Sequence, residues 1–191
     1  MKSLVFFILI TVLSHQISIA QTGPGGIGNS TSNEVWLPVE GNSYTDAGTT
    51  LGSNGSSIQQ WSDISGNANN AIQTNNTFKP TLNTNSLNGF STLTFSGTDR
   101  ILSSSISTNS QLTVFVVVQF NSLVNNNDGI IQGSPAGNAF TTNTSNKTVG
   151  MWINRSNGRI WGRGIQTNNS TRNLPQNTIL STGQFYIITQ D

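Results

Sequence analysis

Seven carboxylates make up the acidic chemistry of this chain: Glu34, Glu40, Asp46, Asp63, Asp99, Asp128 and Asp191. There is one histidine, His15, and no cysteine. His15 falls within an N-terminal segment that reads as a cleaved export signal, so the mature chain is expected to carry neither imidazole nor thiol. That removes Ser-His-Asp and Cys-His nucleophiles and zinc sites of the His/Cys type. What remains for catalysis is a carboxylate pair. Glycoside hydrolysis needs two carboxyl groups flanking one bond at a controlled separation. No two acids stand on alternate residues of one strand-like run, and Glu34 and Glu40 are separated by Pro38. A pair converging from separate loops is the one route left. We therefore expect no catalytic residues and no enzyme.

The densest polar constellation is Trp61-Ser-Asp-Ile-Ser-Gly-Asn-Ala-Asn-Asn-Ala-Ile-Gln73. Asp63 and Asn67 have side chains that close Asx-turns, and Gly66 supplies a left-handed position without steric cost. Trp61 is then expected to be buried at the base of the turn. A bound calcium is the competing account, with hard oxygen ligands from Asp63, Asn67 or Asp99 and nearby carbonyls. A dedicated calcium loop carries more carboxylates in a tighter cluster, so turn chemistry is the reading taken and no cofactor is expected. Gly23-Pro-Gly-Gly-Ile-Gly28 matches the letters of a dinucleotide fingerprint. It follows no strand and opens no helix, so it reads as part of a flexible leader.

Those residues must be positioned by something, and the composition limits what. Lys2, the apolar run Leu4–Leu13 and the small-x-small site Ser18-Ile-Ala20 form a secretory signal over residues 1–20. A leader over 21–33 follows, then one domain over 34–191. The expected localisation is extracellular or at the cell surface, with no membrane insertion after signal cleavage. Charged residues are 8% of the chain and the net charge is +1, against about 25% charged in an ordinary domain. Without a strong field, nucleic acid is not an expected partner. Asn, Ser and Thr supply the polarity instead, and these favour turns and sheet surfaces over helix interiors.

No window carries a helical apolar period. Short β-rich runs alternate with clusters of Gly, Asn, Ser and Pro, which predicts an all-β fold of about ten strands. The runs are Val35–Leu37, Ser57–Trp61, Ala71–Gln73, Ser91–Phe95, Gln111–Phe120, Gly129–Gln132, Ala139–Thr142, Val149–Arg155, Arg159–Ile165 and Phe185–Thr189. Gln111–Phe120 is β-branched and aromatic, and its middle is expected to be buried on both faces. Asn125–Asn127 and Thr141–Asn146 read as loop tips.

Asn157-Gly158 is a strong two-residue hairpin signal, because both central positions of a type I′ turn need φ > 0. That turn sets Ser156 opposite Arg159, Asn154 opposite Trp161 and Trp152 opposite Arg163. One face then collects Trp152, Asn154, Trp161 and Arg163, and the other Val149, Met151, Ile153 and Ile160. The first set is a candidate carbohydrate site. An indole packs on the apolar face of a pyranose, while amide and guanidinium groups bond its hydroxyls. The alternatives are that both Trp residues belong to an inter-sheet core, or that Trp152 and Arg163 form a cation–π pair.

A series of landmarks carries a resemblance. Trp61-Ser-Asp-Ile-Ser-Gly-Asn67 leads to Asn70-Ala-Ile-Gln73 and Lys79-Pro80. Asn88-Gly89 precedes Leu93-Thr-Phe95, then Gly97-Thr-Asp99, Ile101-Leu102 and Thr113–Val118. From about residue 23 onward this resembles the concanavalin A-like, laminin-G-like jelly-roll domains of secreted Bacteroidetes-type surface proteins. Family members commonly read Phe-Asp-Gly where this chain has Phe95-Ser96-Gly97, and often show two acids where it has Asp99-Arg100.

The resemblance implies an antiparallel two-sheet jelly-roll sandwich whose role is carbohydrate recognition or cell adhesion. It also implies further strands beyond Phe185–Thr189, so the chain is expected to be a fragment. The expected function is a non-catalytic, lectin-like binding module whose partner is a polysaccharide or cell-surface glycan. A structural spacer in a larger surface protein is the alternative, and a glucanase-type hydrolase the least favoured.

Overall fold

Clusters of Asn, Ser, Gly and Pro interrupt this chain every few residues, and its strands are correspondingly short. The computed structural model describes residues 32–103, 113–123, 128–133, 149–154, 159–165 and 171–190. Among them the protein is all-β, and the 3-10 turn Asn76–Phe78 is the one helical element. No helix among the described residues is long and apolar enough to cross a membrane. The signal, the leader up to residue 31, Ala139–Thr142, Asn125–Asn127 and Thr141–Asn146 lie outside the described residues. The chain divides into two compact units, Met1–Ser107 and Thr108–Asp191.

In the first unit, β1 (Ser43–Tyr44), β2 (Gln60–Trp61), β3 (Ala71–Ile72) and β6 (Leu102–Ser103) form an antiparallel sheet in the order β1-β2-β3-β6. Between them in sequence, β4 (Thr81–Leu87) and β5 (Phe90–Thr94) pair as a hairpin. Its loop is Asn88-Gly89, with φ of 49° and 90°, the left-handed pair that a type I′ turn requires. Ile58, Ala71, Leu82 and Pro80 are the buried apolar side chains of this unit. Ile58 donates its N–H to the Pro80 carbonyl at 2.8 Å, and Leu82 donates to Ser56 at 2.9 Å. These bonds lock the 56–58 segment onto β4 and bury Ile58 completely. Burial of such a side chain contributes about 2–3 kcal/mol.

Polar groups share this small core, and each is bonded, as burial demands. The Ser43 hydroxyl donates to the Val39 carbonyl at 3.0 Å, and Gln60 Nε2 to Ser62 Oγ at 2.9 Å. Gln73 bridges two strands of chain, its Nε2 donating to Arg100 O and its Oε1 accepting from Asn75 N–H.

The second unit holds β7 (Val114–Gln119), β8 (Asp128–Gly133), β9 (Val149–Asn154), β10 (Arg159–Ile165), β11 (Thr171–Ile179) and β12 (Phe185–Gln190). One sheet runs β11-β10-β9-β8, and β7 pairs with β12. Phe120, Ile160, Leu180 and Ile188 form its core, with Val114, Val116, Val118 and Tyr186 packed against them. Gly183, at φ 78°, turns the chain into β12 and donates its N–H to Phe120 O at 3.0 Å. The Tyr186 hydroxyl accepts the Ser181 N–H at 2.8 Å across the same turn.

Two sequence expectations are corrected here. Val35–Leu37 forms no strand: the Trp36 N–H and carbonyl bond Asp63 and Ile64 instead of a ladder, and Pro38 has no N–H to offer one. The middle of β7 is buried on one face only. Val114, Val116 and Val118 face the core, while Phe115 is 69% and Val117 57% exposed. Its ladder partner among the described residues is β12. Strands β1, β4, β6 and β11 were not expected from the sequence.

Candidate functional site

The loop from Trp61 to Asn70 is built around one carboxylate. Asp63 Oδ1 accepts the N–H groups of Trp36 at 2.8 Å and Ser65 at 2.9 Å. Its Oδ2 accepts the Ser65 hydroxyl at 2.7 Å and the Asn69 N–H at 2.9 Å. Burial raises the Asp63 carboxyl pKa, but the bonds from Trp36, Ser65 and Asn69 together outweigh it and hold the group below its ordinary value. Bonds to the charged form have that effect.

The rest of the motif ties the same loop to the segment preceding β1. Asn67 Nδ2 donates to the carbonyls of Asn33 and Glu34, and Asn69 Nδ2 to Glu34. Trp61 Nε1 donates to Pro38 O at 2.9 Å, and Ile64 N–H to Trp36 O at 2.9 Å. Trp61 is half-buried rather than fully buried. Gly66 adopts φ 99°, as its residue type predicts, and Ala68 is also left-handed at φ 56°. The Ala68 conformation costs about 1–2 kcal/mol, sustained by the bonds at Asn67 and Asn69 on either side. The motif is a clasp that straps residues 33–38 to the sheet.

That arrangement spends the candidate calcium ligands Asp63 and Asn67 on hydrogen bonds. Both Asp63 oxygens accept two donors each, and Asn67 presents its amide nitrogen to carbonyls. Asp99 belongs to a separate turn, where its Oδ2 accepts the N–H and hydroxyl of Ser96 at 2.8 and 2.9 Å. The three residues are not assembled as a ligand set. Asp46 likewise closes its own loop, accepting from Thr49 N–H, Thr50 N–H and the Thr50 hydroxyl. The bonds from Thr50 and Thr49 pull its carboxyl down to about 2.

The candidate carbohydrate residues lie on β9 and β10. Their ladder pairs Trp161 with Trp152, Arg159 with Asn154, Ile160 with Ile153 and Arg163 with Gly150. This differs by two residues from the register expected of an Asn157-Gly158 turn, so the connection spans residues 155–158, which lie outside the described residues. A two-residue step moves neighbours without moving faces, because side chains alternate with period two. Positions 152, 154, 161 and 163 therefore still share one face of the ladder. Position 160, on the other face, is where the core-buried Ile160 sits. The observed register replaces the expected diagonal relation of the two tryptophans with a directly cross-strand pair, itself a sheet-stabilising unit.

A recess that the sequence did not announce opens beside β1. Val39, Leu51 and Leu82 wall about 150 Å³, with Glu40, Thr84 and Ser91 on its polar side. Gly52 leaves no room to fill it from below: a Cβ there would lie 2.7 Å from Ile58 Cδ1 and 3.0 Å from Leu82 Cδ2. Glu40 Oε2 accepts the Ser91 N–H at 3.0 Å. Bonds from the Ser91 side chain and backbone lower the Glu40 pKa. Only the tertiary pairing of the β4–β5 hairpin with the 39–52 segment brings these residues together.

No family model matches the chain, and no curated protein or solved structure matches it.

Proposed function

We propose that this chain is a non-catalytic carbohydrate-binding or adhesion module, secreted or held at the cell surface after removal of residues 1–20. In this reading residues 34–191 form an antiparallel jelly-roll sandwich and the partner is a polysaccharide or cell-surface glycan. The observation that supports it is the β9–β10 register, with Trp152 directly opposite Trp161 and positions 154 and 163 on the same ladder face. Positions 152 and 161 are cross-strand neighbours on one ladder face, flanked by positions 154 and 163, and Trp, Asn and Arg are the residue types that stack on a sugar ring and bond its hydroxyls.

The test is retention on a glycan array by the full chain and by Trp152→Ala and Trp161→Ala variants, with circular dichroism to verify that each remains folded. Each variant is expected to lose about tenfold or more in affinity, since truncating an aromatic anchor of a binding site costs about 2 kcal/mol or more. Unchanged retention by a folded Trp161→Ala protein would dispose of this site.

A structural spacer is the second reading, and it draws support from the first unit. There Asp46, Asp63 and Asp99 all serve their own turns. A chain that retains no polysaccharide at all, with or without the tryptophans, favours the spacer. Glucanase activity is the least favoured reading. It predicts hydrolysis of β-glucans that is abolished when two carboxylates are changed together.

A further inference from the structure

We infer that the recess between Val39, Leu51 and Leu82 seats a primary alkylammonium, the end of a lysine side chain presented by a partner protein. Size is the first reason. The recess is small, about 150 Å³. That suits a butylammonium stem, whereas pockets for larger ligands run to about 300–1,000 Å³. The walls are the second reason. They are aliphatic, and Leu51 is 56% exposed, which leaves apolar surface for a methylene stem to cover.

Charge complementarity is the third reason. Asp46 and Asp99 are turned to donors of their own loops and Asp63 to those of the clasp, whereas Glu40 stands at the recess with Ser91 as its carboxylate's bonded partner among the described residues. The two cations among the described residues of this unit are engaged elsewhere. Lys79 Nζ donates to Gln59 Oε1 at 3.1 Å, and the Arg100 guanidinium lies 3.8 Å from the Phe78 ring centroid. Lysine fits better than arginine, because a narrow methylene stem ending in a compact ammonium needs less width than a planar guanidinium. No aromatic ring is among the lining residues, so the stacking platform that a pyranose uses is missing. This seat is separate from the β9–β10 positions, and either can fail without the other.

The experiment is a titration of the ¹⁵N-labelled full chain, followed by NMR, with Nα-acetyl-lysine methylamide and with its uncharged norleucine counterpart. The lysine compound is expected to shift the amides of Gly41, Gly52, Thr84 and Ser91 saturably, in about the millimolar range for one side chain. Glu40→Gln keeps one oxygen for the Ser91 N–H, removes the charge and puts an amide donor where the second oxygen stood. It is expected to weaken binding about fivefold, the upper worth of an exposed ammonium–carboxylate pair. Leu51→Asn removes the apolar wall, leaves Glu40 in place, and is expected to weaken binding as well. Added salt weakens the lysine compound and not the norleucine one. Equal binding of the two compounds overturns the assignment, as do an absence of shifts or a Glu40→Gln protein that binds like the wild type. Glucosamine producing the same shifts at lower concentration overturns it in favour of an amino sugar.

Discussion

At the scale of single residues, the dominant device is a carboxylate used as an acceptor hub. Asp63 gathers four donors from Trp36, Ser65 and Asn69, a role that no neutral side chain can copy. In Asp63→Asn one oxygen can still serve two N–H groups. The new amide then points its own donors at the Asn69 N–H, and a donor-to-donor contact replaces a bond. Lost bonds of this charge-assisted kind cost about 2 kcal/mol, read as a lower urea midpoint with an unchanged slope. The pH dependence follows from the lowered pKa. The folded-state carboxyl titrates below the unfolded one, so Asp63 contributes stability at all pH values above the unfolded pKa, about 3.9. That contribution is lost as pH falls through the folded value. The Asp63→Asn penalty is therefore expected at neutral pH and to shrink in strong acid. A penalty constant from pH 7 to pH 2 would show that charge is not what the hub uses.

At the scale of elements, close packing across Gly52 is the most exposed to substitution. Gly52→Ala would press a methyl group against Ile58 and Leu82, both buried, and overpacking of this kind costs about 1–3 kcal/mol. A fall in thermal midpoint with the 39–52 amide shifts most perturbed is the expected result. A neutral substitution would mean that Leu82 has room to move. Elements were legible in the sequence where side chains alternated or a turn had special chemistry. Arg159–Ile165 is a strand with the bounds its composition gave it, and Gly66 takes the left-handed position expected of it. Strands β4 and β11 were not legible. Thr81–Leu87 reads Thr-Leu-Asn-Thr-Asn-Ser-Leu, and Thr171–Ile179 contains Pro175, both of which have the composition of loops. Tertiary pairing overrides that weak propensity. Pro175 is tolerated because β11 is the outer strand of its sheet in the described order, where a missing N–H can face outward. Asn157-Gly158 and Asn88-Gly89 are identical dipeptides. Nothing local told them apart, yet the described two-residue hairpin is the second. Asp63 closes the local turn with Ser65 that its residue type suggests, but the clasp's other half, Asn33–Pro38, lies about thirty residues upstream, a distance at which spacing carries no signal.

At the scale of the whole molecule, the balance between charge and exposed apolar surface decides how the protein behaves in solution. The chain carries a net charge of only +1, which gives little mutual repulsion between molecules. The β7–β12 ribbon turns Val116, Val118, Tyr186 and Ile188 to its core. Its opposite face bears Phe115, Val117, Phe185 and Ile187, with Ile187 76% exposed. Contiguous apolar surface on a weakly charged molecule promotes self-association. The double substitution Phe115→Thr, Ile187→Thr keeps β-branched residues at both ladder positions and removes most of that surface. Because both side chains are exposed, the unfolding free energy is expected to change by no more than about 0.5 kcal/mol. Sedimentation at rising concentration is expected to show less association than in the wild type. A loss of several kcal/mol, of the size that follows large-to-small changes in a core, would instead mean that a second layer covers this face in solution. That outcome would restore the two-sided burial that the composition of Gln111–Phe120 suggests, beyond the single inner face that a strand of a two-sheet sandwich needs.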